Sequence, residues 1–169
     1  MINTTSSMAA DRKKHRIVAG VIFVLYFIVL FYFLFFSEEM GRTYTEREYH
    51  YNLVPLKEIN RFIQYREVLG MRSVMLNIVG NVLAFMPFGT FLPVFVAKGK
   101  KFWFTALYSF ELSLCVETLQ LISKVGSFDV DDLLLNTLGG ILGYVLYRIL
   151  KYFYIKWRTN REAAEIKEE

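Results

Sequence analysis

Residues 17–36 read IVAGVIFVLYFIVLFYFLFF, twenty positions in succession without a charge. A bilayer's hydrocarbon core is about 30 Å thick, and a helix needs roughly twenty apolar residues to cross it. The flanks agree with a helix retained in a membrane. Arg12, Lys13, Lys14 and Arg16 precede the run, and Ser37-Glu38-Glu39-Met40-Gly41 follows it with no small-residue cleavage site, unlike a secretory signal peptide. The rest of the 169-residue chain carries the same bias, with 54% hydrophobic and 21% charged residues against about 45–50% and 25% in soluble domains. Such apolar content excludes a disordered chain. Cys115 is the single cysteine, which excludes a disulfide scaffold.

Three further segments read as spans: 74–97, 102–122 and 133–155. The last is uncharged to Tyr147 and continues with Arg148 and Lys151 reaching toward the interface, beside a belt of Tyr152, Phe153, Tyr154 and Trp157. Four spans place residues 1–16, the 98–101 loop and the tail from Arg148 on one side. That side carries thirteen Lys and Arg, counted from the start to the tail beginning at Arg148, and the other side carries seven. Basic residues favour the cytoplasmic side. The expectation is therefore an all-α membrane protein, a four-helix bundle over 17–155 in the cytoplasmic membrane, with both termini cytoplasmic. The net charge of +4 is accounted for by this asymmetry and gives no nucleic-acid signal. The outer loop 37–73 is polar and neutral. Within it, Leu56, Ile59, Phe62, Ile63 and Leu69 recur at helical spacing after Pro55, so 56–69 is expected to form a short amphipathic helix on the outer face.

Ionisable groups inside spans usually face the bundle interior and mark function. This topology puts polar residues from three helices at one outer depth: Asn77 and Asn81 on the second span, Glu117 and Gln120 on the third, and Asp129, Asp131, Asp132 and Asn136 at the start of the fourth. At helical spacing, Ser109, Ser113, Glu117, Gln120 and Lys124 share one stripe. Gly139-xxx-Gly143 allows close helix approach. An acidic, amide-rich cleft opening outward is expected. Plainer roles are available to each residue. The aspartates can cap a helix, the asparagines can bond between helices, and Glu111 can bond a neighbouring helix from the opposite face of its span. Pro87 and Pro93 can kink the second span and free carbonyls. His15 and His50 have no metal-ligand partners at recognisable spacing.

Several ordered runs carry a family resemblance: Asn52-Leu53-Val54-Pro55; Asn77-Ile78-Val79-Gly80-Asn81 with Phe85-Met86-Pro87-Phe88-Gly89; Glu117-Thr118-Leu119-Gln120; and Phe128-Asp129-Val130-Asp131-Asp132 with Asn136-Thr137, Gly139-Gly140 and Gly143-Tyr144. Together they resemble the VanZ-like membrane proteins over roughly residues 17–147. Many relatives place a basic residue just before the FDVDD-like run, where this chain has Val125-Gly126-Ser127. The resemblance implies an envelope protein linked to reduced susceptibility to teicoplanin-type glycopeptides.

Three mechanisms follow. The protein binds a lipid-linked cell-wall intermediate or a lipoglycopeptide at the cleft, with Asn77, Asn81, Gln120, Asp129, Asp131 and Asn136 as contacts. Alternatively, it is a membrane enzyme on a polyprenyl- or phospholipid-linked substrate, with Glu117 and Asp132 catalytic and a divalent cation on Asp129, Asp131 and Asp132. Third, it is a small transporter or a structural partner in a larger envelope complex. No organic cofactor is expected.

Overall fold

The computed structural model describes residues 2–36 and 49–168. The first part of the outer loop, 37–48, lies outside the described residues. Six helices follow one another: α1 (Ile2–Phe36), α2 (Lys57–Gln64), α3 (Arg66–Leu69), α4 (Met71–Phe95), α5 (Phe102–Ser123) and α6 (Val130–Glu168). A 3-10 turn at Lys98–Lys100 joins α4 to α5, and two short strands, β1 (Tyr51–Asn52) and β2 (Phe128–Asp129), pair in parallel. Among the described residues, three helical stretches are long and apolar enough to cross a membrane: Ile17–Phe36, Met71–Phe95 and Val130–Arg161. The chain is an all-α membrane protein. The helix α5 coincides with the expected third span, but Glu111, Glu117 and Gln120 lower its apolar content.

The centre of the bundle is the contact between α4 and α6, which run parallel. Glycines set its closeness. A Cβ on Gly139 would meet the Val82 carbonyl oxygen at 2.2 Å, and one on Gly143 would meet that of Met86 at 2.0 Å. A Cβ on Gly89 would meet the Gly140 carbonyl oxygen at 1.8 Å. The backbones therefore touch along more than one turn, as the Gly139-xxx-Gly143 spacing anticipates. Thr90, one turn beyond Met86, donates its hydroxyl to the carbonyls of Met86 (2.9 Å) and Gly143 (3.1 Å).

The helix α5 runs antiparallel to α6. Gly140 faces Ser109, and Asn136 donates to the Ser113 hydroxyl at 2.9 Å. The first helix closes the remaining side with aromatic and aliphatic packing. Phe23 lies against Phe88, Phe91 and Phe95, and Leu30, Leu34 and Phe35 form a core with Phe85 and Val116. Two polar contacts fix its register: Tyr26 donates its hydroxyl to the Ala84 carbonyl at 2.9 Å, and Gln120 donates its amide to the Leu34 carbonyl at 3.0 Å.

The expected single helix over 56–69 is two helices. It begins at Lys57 because Leu56 adopts a left-handed conformation (φ 64°), and Pro55 therefore stands outside it. It breaks at Tyr65 (φ −99°, ψ 22°). Gly70, with φ 81°, turns the chain into α4. The last helix starts three residues earlier than expected, at Val130, and continues into the charged tail.

Replacing Gly139 by Ala is expected to push α4 and α6 apart and cost about 1–3 kcal/mol, the range for overpacking a close contact. Gly80→Ala, whose new Cβ would meet nothing nearer than 3.9 Å, is expected to be neutral or slightly stabilising. Denaturant titration of the two variants in mixed micelles checks the contrast.

Candidate functional site

The two-residue ladder between β1 and β2 aligns Asn52 with Asp129. It brings the outer loop and the start of α6 to the same end of the bundle as the polar residues of α4 and α5. Four carboxylates there have separate tasks.

Asp129 immediately precedes α6 and accepts the Asp131 N–H at 2.8 Å, which is an N-cap bond to the second helical residue. The same oxygen accepts the Asn52 side-chain amide at 3.1 Å. Asn52 in turn shapes the following turn, giving an amide N–H to the Val54 carbonyl and accepting the Val54 N–H. The Asp129 backbone N–H donates to Glu117 at 3.2 Å. Glu117 is only 2% exposed, so a buried carboxylate of α5 holds the first turn of α6 from below.

Asp131 caps a different helix. One carboxylate oxygen accepts the Leu56 N–H, and the other accepts those of Glu58 (2.8 Å) and Ile59 (3.1 Å). These are the free donors at the start of α2, which has no side-chain cap of its own. Hydrogen bonds to a charged acceptor contribute about 1.5–3 kcal/mol each. Because α2 and α3 contain no buried residue, this cap is a principal tie between them and the bundle. Asp132 accepts the Asn81 amide and joins α6 to α4 directly above the glycine contact.

These elements enclose a cleft of about 120 Å³. One wall is the α2 face with Glu58, Ile59, Arg61 and Phe62, and the other is formed by Asn77 and Ile78 of α4 with Ser127, Asp129, Asp131, Asp132 and Leu135. Glu58 and Arg61 form an ion pair one turn apart on α2. Burial pushes the Asp129 carboxyl above its ordinary value of 3.8, opposed by the Asp131 N–H and the Asn52 amide and reinforced by the negative charges of Asp131 and Glu58.

The structure therefore gathers Asn77, Asn81, Asp129, Asp131 and Asp132 at one end of the bundle, as the sequence implies. Asn77, Asp129, Asp131 and Asp132 line the cleft. Asn77 donates to the Ser73 carbonyl of its own helix rather than to a neighbour, while Asn81 does bond between helices. Glu117, Gln120 and Asn136 are buried beneath the cleft and do not line it. The Asn136 side-chain oxygen is enclosed without a hydrogen-bond partner. Lys124 leaves the polar stripe of α5: it follows the helix end with φ 56° and lies over the Tyr49 ring at 4.6 Å. Glu111 is exposed, not bonded to a neighbouring helix as the sequence allowed.

The three aspartates do not form the cation site left open by the sequence. Asp131 is occupied by backbone donors of α2, Asp129 by Asn52 and its own helix, and Asp132 by Asn81. Among the described residues, no group of three His, Cys, Asp or Glu could hold a metal. The residue that sequence reasoning missed is Asn52, together with the cleft-facing Glu58, Arg61 and Phe62. The signal for Asn52 was its place in the Asn52–Pro55 run.

An all-α membrane protein with a carboxylate-tied polar cleft at one end of its bundle is the class that fold and site define. Comparison with known proteins narrows it. The chain belongs to the VanZ/LLP1 family, whose profile matches residues 23–151. It is 29% identical over 136 residues to Protein VanZ of Enterococcus faecium, an alignment spanning 78% of this chain and 74% of that protein. No solved structure matches it.

Two outcomes test these assignments. Asp131→Ala is expected to abolish hydrogen-exchange protection at the Leu56, Glu58 and Ile59 amides while leaving the α4 and α6 amides protected. Mass spectrometry of exchanged peptides reads this directly. Because the folded Asp129 carboxyl binds its proton more tightly than an unfolded one, its contribution is most favourable at low pH. Stability is lost as pH rises from about 3.8 through the folded value, and the contribution is constant above it. The Asp129→Asn variant is expected to lack this slope in thermal midpoints measured across pH.

Proposed function

We propose that this chain is a four-span protein of the cytoplasmic membrane, with both termini cytoplasmic, that captures a lipid-linked cell-wall intermediate or a lipoglycopeptide drug at the cleft from the outer leaflet. It thereby contributes to teicoplanin-type resistance. The observation that carries the reading is the cleft itself, a polar recess roofed by an amphipathic helix whose apolar neighbours are exposed. Leu53, Val54, Leu56, Ile63 and Val68 are exposed around a recess that offers Asn77, Ser127, Asp132 and the Glu58–Arg61 pair. A molecule with a polar head and an acyl or polyprenyl tail matches this pairing. One polar group of the head enters the recess of about 120 Å³, and the tail stays in the bilayer beside α2.

Helix directions support the topology. Paired contacts set the directions: Tyr26 with Ala84 and Phe23 with Phe95 make α1 antiparallel to α4, Asn81 with Asp132 and Thr90 with Gly143 make α4 parallel to α6, and Ser113 with Asn136 and Ser109 with Gly140 make α5 antiparallel to α6. That alternation is what four successive crossings require. It puts the basic 98–101 loop and the α6 tail on the side opposite the cleft, as the positive-inside rule asks. The link to resistance is what the resemblance to the VanZ-like proteins implies, and the family match supports that resemblance.

Binding is favoured over catalysis because Glu117, the expected acid–base residue, holds the Asp129 backbone and is not among the residues lining the cleft. Catalysis would fall to Asp132 on a polyprenyl- or phospholipid-linked substrate.

The full chain in lipid nanodiscs is expected to bind a lipid-linked cell-wall precursor or a lipoglycopeptide. Asp132→Asn and Asn77→Leu are each expected to weaken binding about tenfold, equivalent to about 1.4 kcal/mol for a hydrogen bond to a charged or buried group. Wild-type protein without affinity for either ligand overturns the reading. Accumulation of a modified envelope lipid in a wild-type strain but not in an Asp132→Asn strain would favour the enzyme.

A further inference from the structure

The end of the bundle opposite the cleft is tied together by side-chain hydroxyls. Thr105 donates to the Gly99 carbonyl at 2.7 Å, and Tyr144 of α6 donates to the Lys100 carbonyl at 2.9 Å. Gly99 is buried, and a Cβ there would meet Leu92 at 3.1 Å, so the turn between α4 and α5 lies close against α4. Tyr144 is itself buried, and its oxygen accepts a guanidinium N–H of Arg148 at 3.2 Å. One phenol thus joins the turn to α6 and holds Arg148 beside it.

The result is a fixed group of exposed cations: Lys98, Lys100 and Lys101 of the turn, with Arg148 and Lys151 of α6. Among the described residues none of these has an ion-pair partner, and the Glu58–Arg61 pair belongs to the cleft. The flanking sequence supplies no acid, since Asp and Glu are absent from 71–110 and from 133–160. Apolar surface adjoins the cations. Phe102 packs edge-on against Tyr144, and Phe102, Trp103 and Val145 are exposed. Aromatic side chains so placed are typical of the headgroup level of a bilayer.

We propose that this end is a binding site for an anionic phospholipid of the inner leaflet, its phosphate held between Arg148 and the lysines of the turn. The inference rests on the four-span reading above, which puts this end at the inner leaflet, and not on what enters the cleft. A guanidinium offers paired N–H donors in the geometry of phosphate oxygens, and neighbouring ammonium groups add charge. A lipid matches both halves of the surface. Its phosphate meets the cations and its chains meet Phe102, Trp103 and Val145, which a free phosphate would leave uncovered. Any basic inner loop attracts anionic lipid diffusely. Here the Tyr144 tie fixes the cations of two elements relative to one another, so the site depends on geometry as well as on charge.

Trp103 and Trp157 are the protein's two tryptophans, and Trp157→Phe leaves Trp103, beside the cations, as the sole reporter. The full chain carrying this change is placed in vesicles of phosphatidylcholine with phosphatidylglycerol as the minor component. In one preparation the phosphatidylglycerol carries brominated acyl chains, and in the other an equal amount of the phosphatidylcholine does. Brominated phosphatidylglycerol is expected to quench Trp103 more strongly. Arg148→Gln is expected to lower that preference about fivefold, whereas Lys156→Gln, which removes the same charge farther along α6, leaves it. Tyr144→Phe removes no charge and is expected to weaken the preference as well. Equal effects of Arg148→Gln and Lys156→Gln, or a preference untouched by Tyr144→Phe, would reduce the site to diffuse attraction and overturn it. Displacement of the lipid by inorganic phosphate, beyond that by chloride at the same ionic strength, would overturn the lipid as its ligand. Equal quenching by the two brominated lipids overturns the site alone. Trp103 quenched by neither lies outside the bilayer, and the four-span reading then falls with the site.

Discussion

The backbone contact between α4 and α6 is the constraint on which the rest depends. Gly139 and Gly143 lie against the carbonyls of Val82 and Met86, and Gly89 lies against Gly140, at distances no side chain could share. That closeness fixes the register of the two helices to within a fraction of a turn. The register then sets Asp132 opposite Asn81, orients the first turn of α6 and determines where Asp129 and Asp131 emerge. In a membrane, where apolar burial gives little preference for one helix partner over another, such fitted contacts and a few polar bonds carry most of the specificity.

Above that contact, the carboxylates act as connectors. Each links elements distant in sequence: Glu117 joins α5 to the start of α6, Asp129 joins α6 to Asn52, Asp131 joins α6 to α2, and Asp132 joins α6 to α4. A carboxylate suits this work because it accepts several donors at once, and backbone N–H groups at helix starts need acceptors that water cannot reach easily. The cluster of acids that looks in sequence like a metal site is thus largely a set of joints. The cleft is the space those joints leave between α2 and the bundle.

Much of this was legible in the sequence because bilayer thickness and helical periodicity constrain it strongly. The positions of α1, α4 and α5 follow from the apolar runs, and the convergence of Asn81 with Asp132 follows from depth and face. The Gly139-xxx-Gly143 spacing announces close approach. What could not be read was which donor each aspartate would serve. Residues 129–132 precede a helix, and the local rule assigns them all to it. Asp131 instead serves α2, which is 75 residues away from it in the case of Leu56. The break at Tyr65 and the left-handed Leu56 were equally hidden, since neither residue type announces such a backbone. The parallel pairing of β1 with β2 was hidden because two residues per strand carry no periodicity.

The cap on α2 has a consequence for synthesis. Its acceptor is encoded so far downstream that α2 must wait uncapped while α4, the turn, α5 and β2 are made. An eight-residue helix has little stability by itself in water. The outer segment therefore acquires its shape only when α6 arrives, and the cleft comes into being last. Until Asp131 is in place, the α2 donors have no acceptor and the chain has no pocket. The start of the final helix thus serves as a checkpoint of assembly: the cleft exists only on chains whose last helix has reached its place.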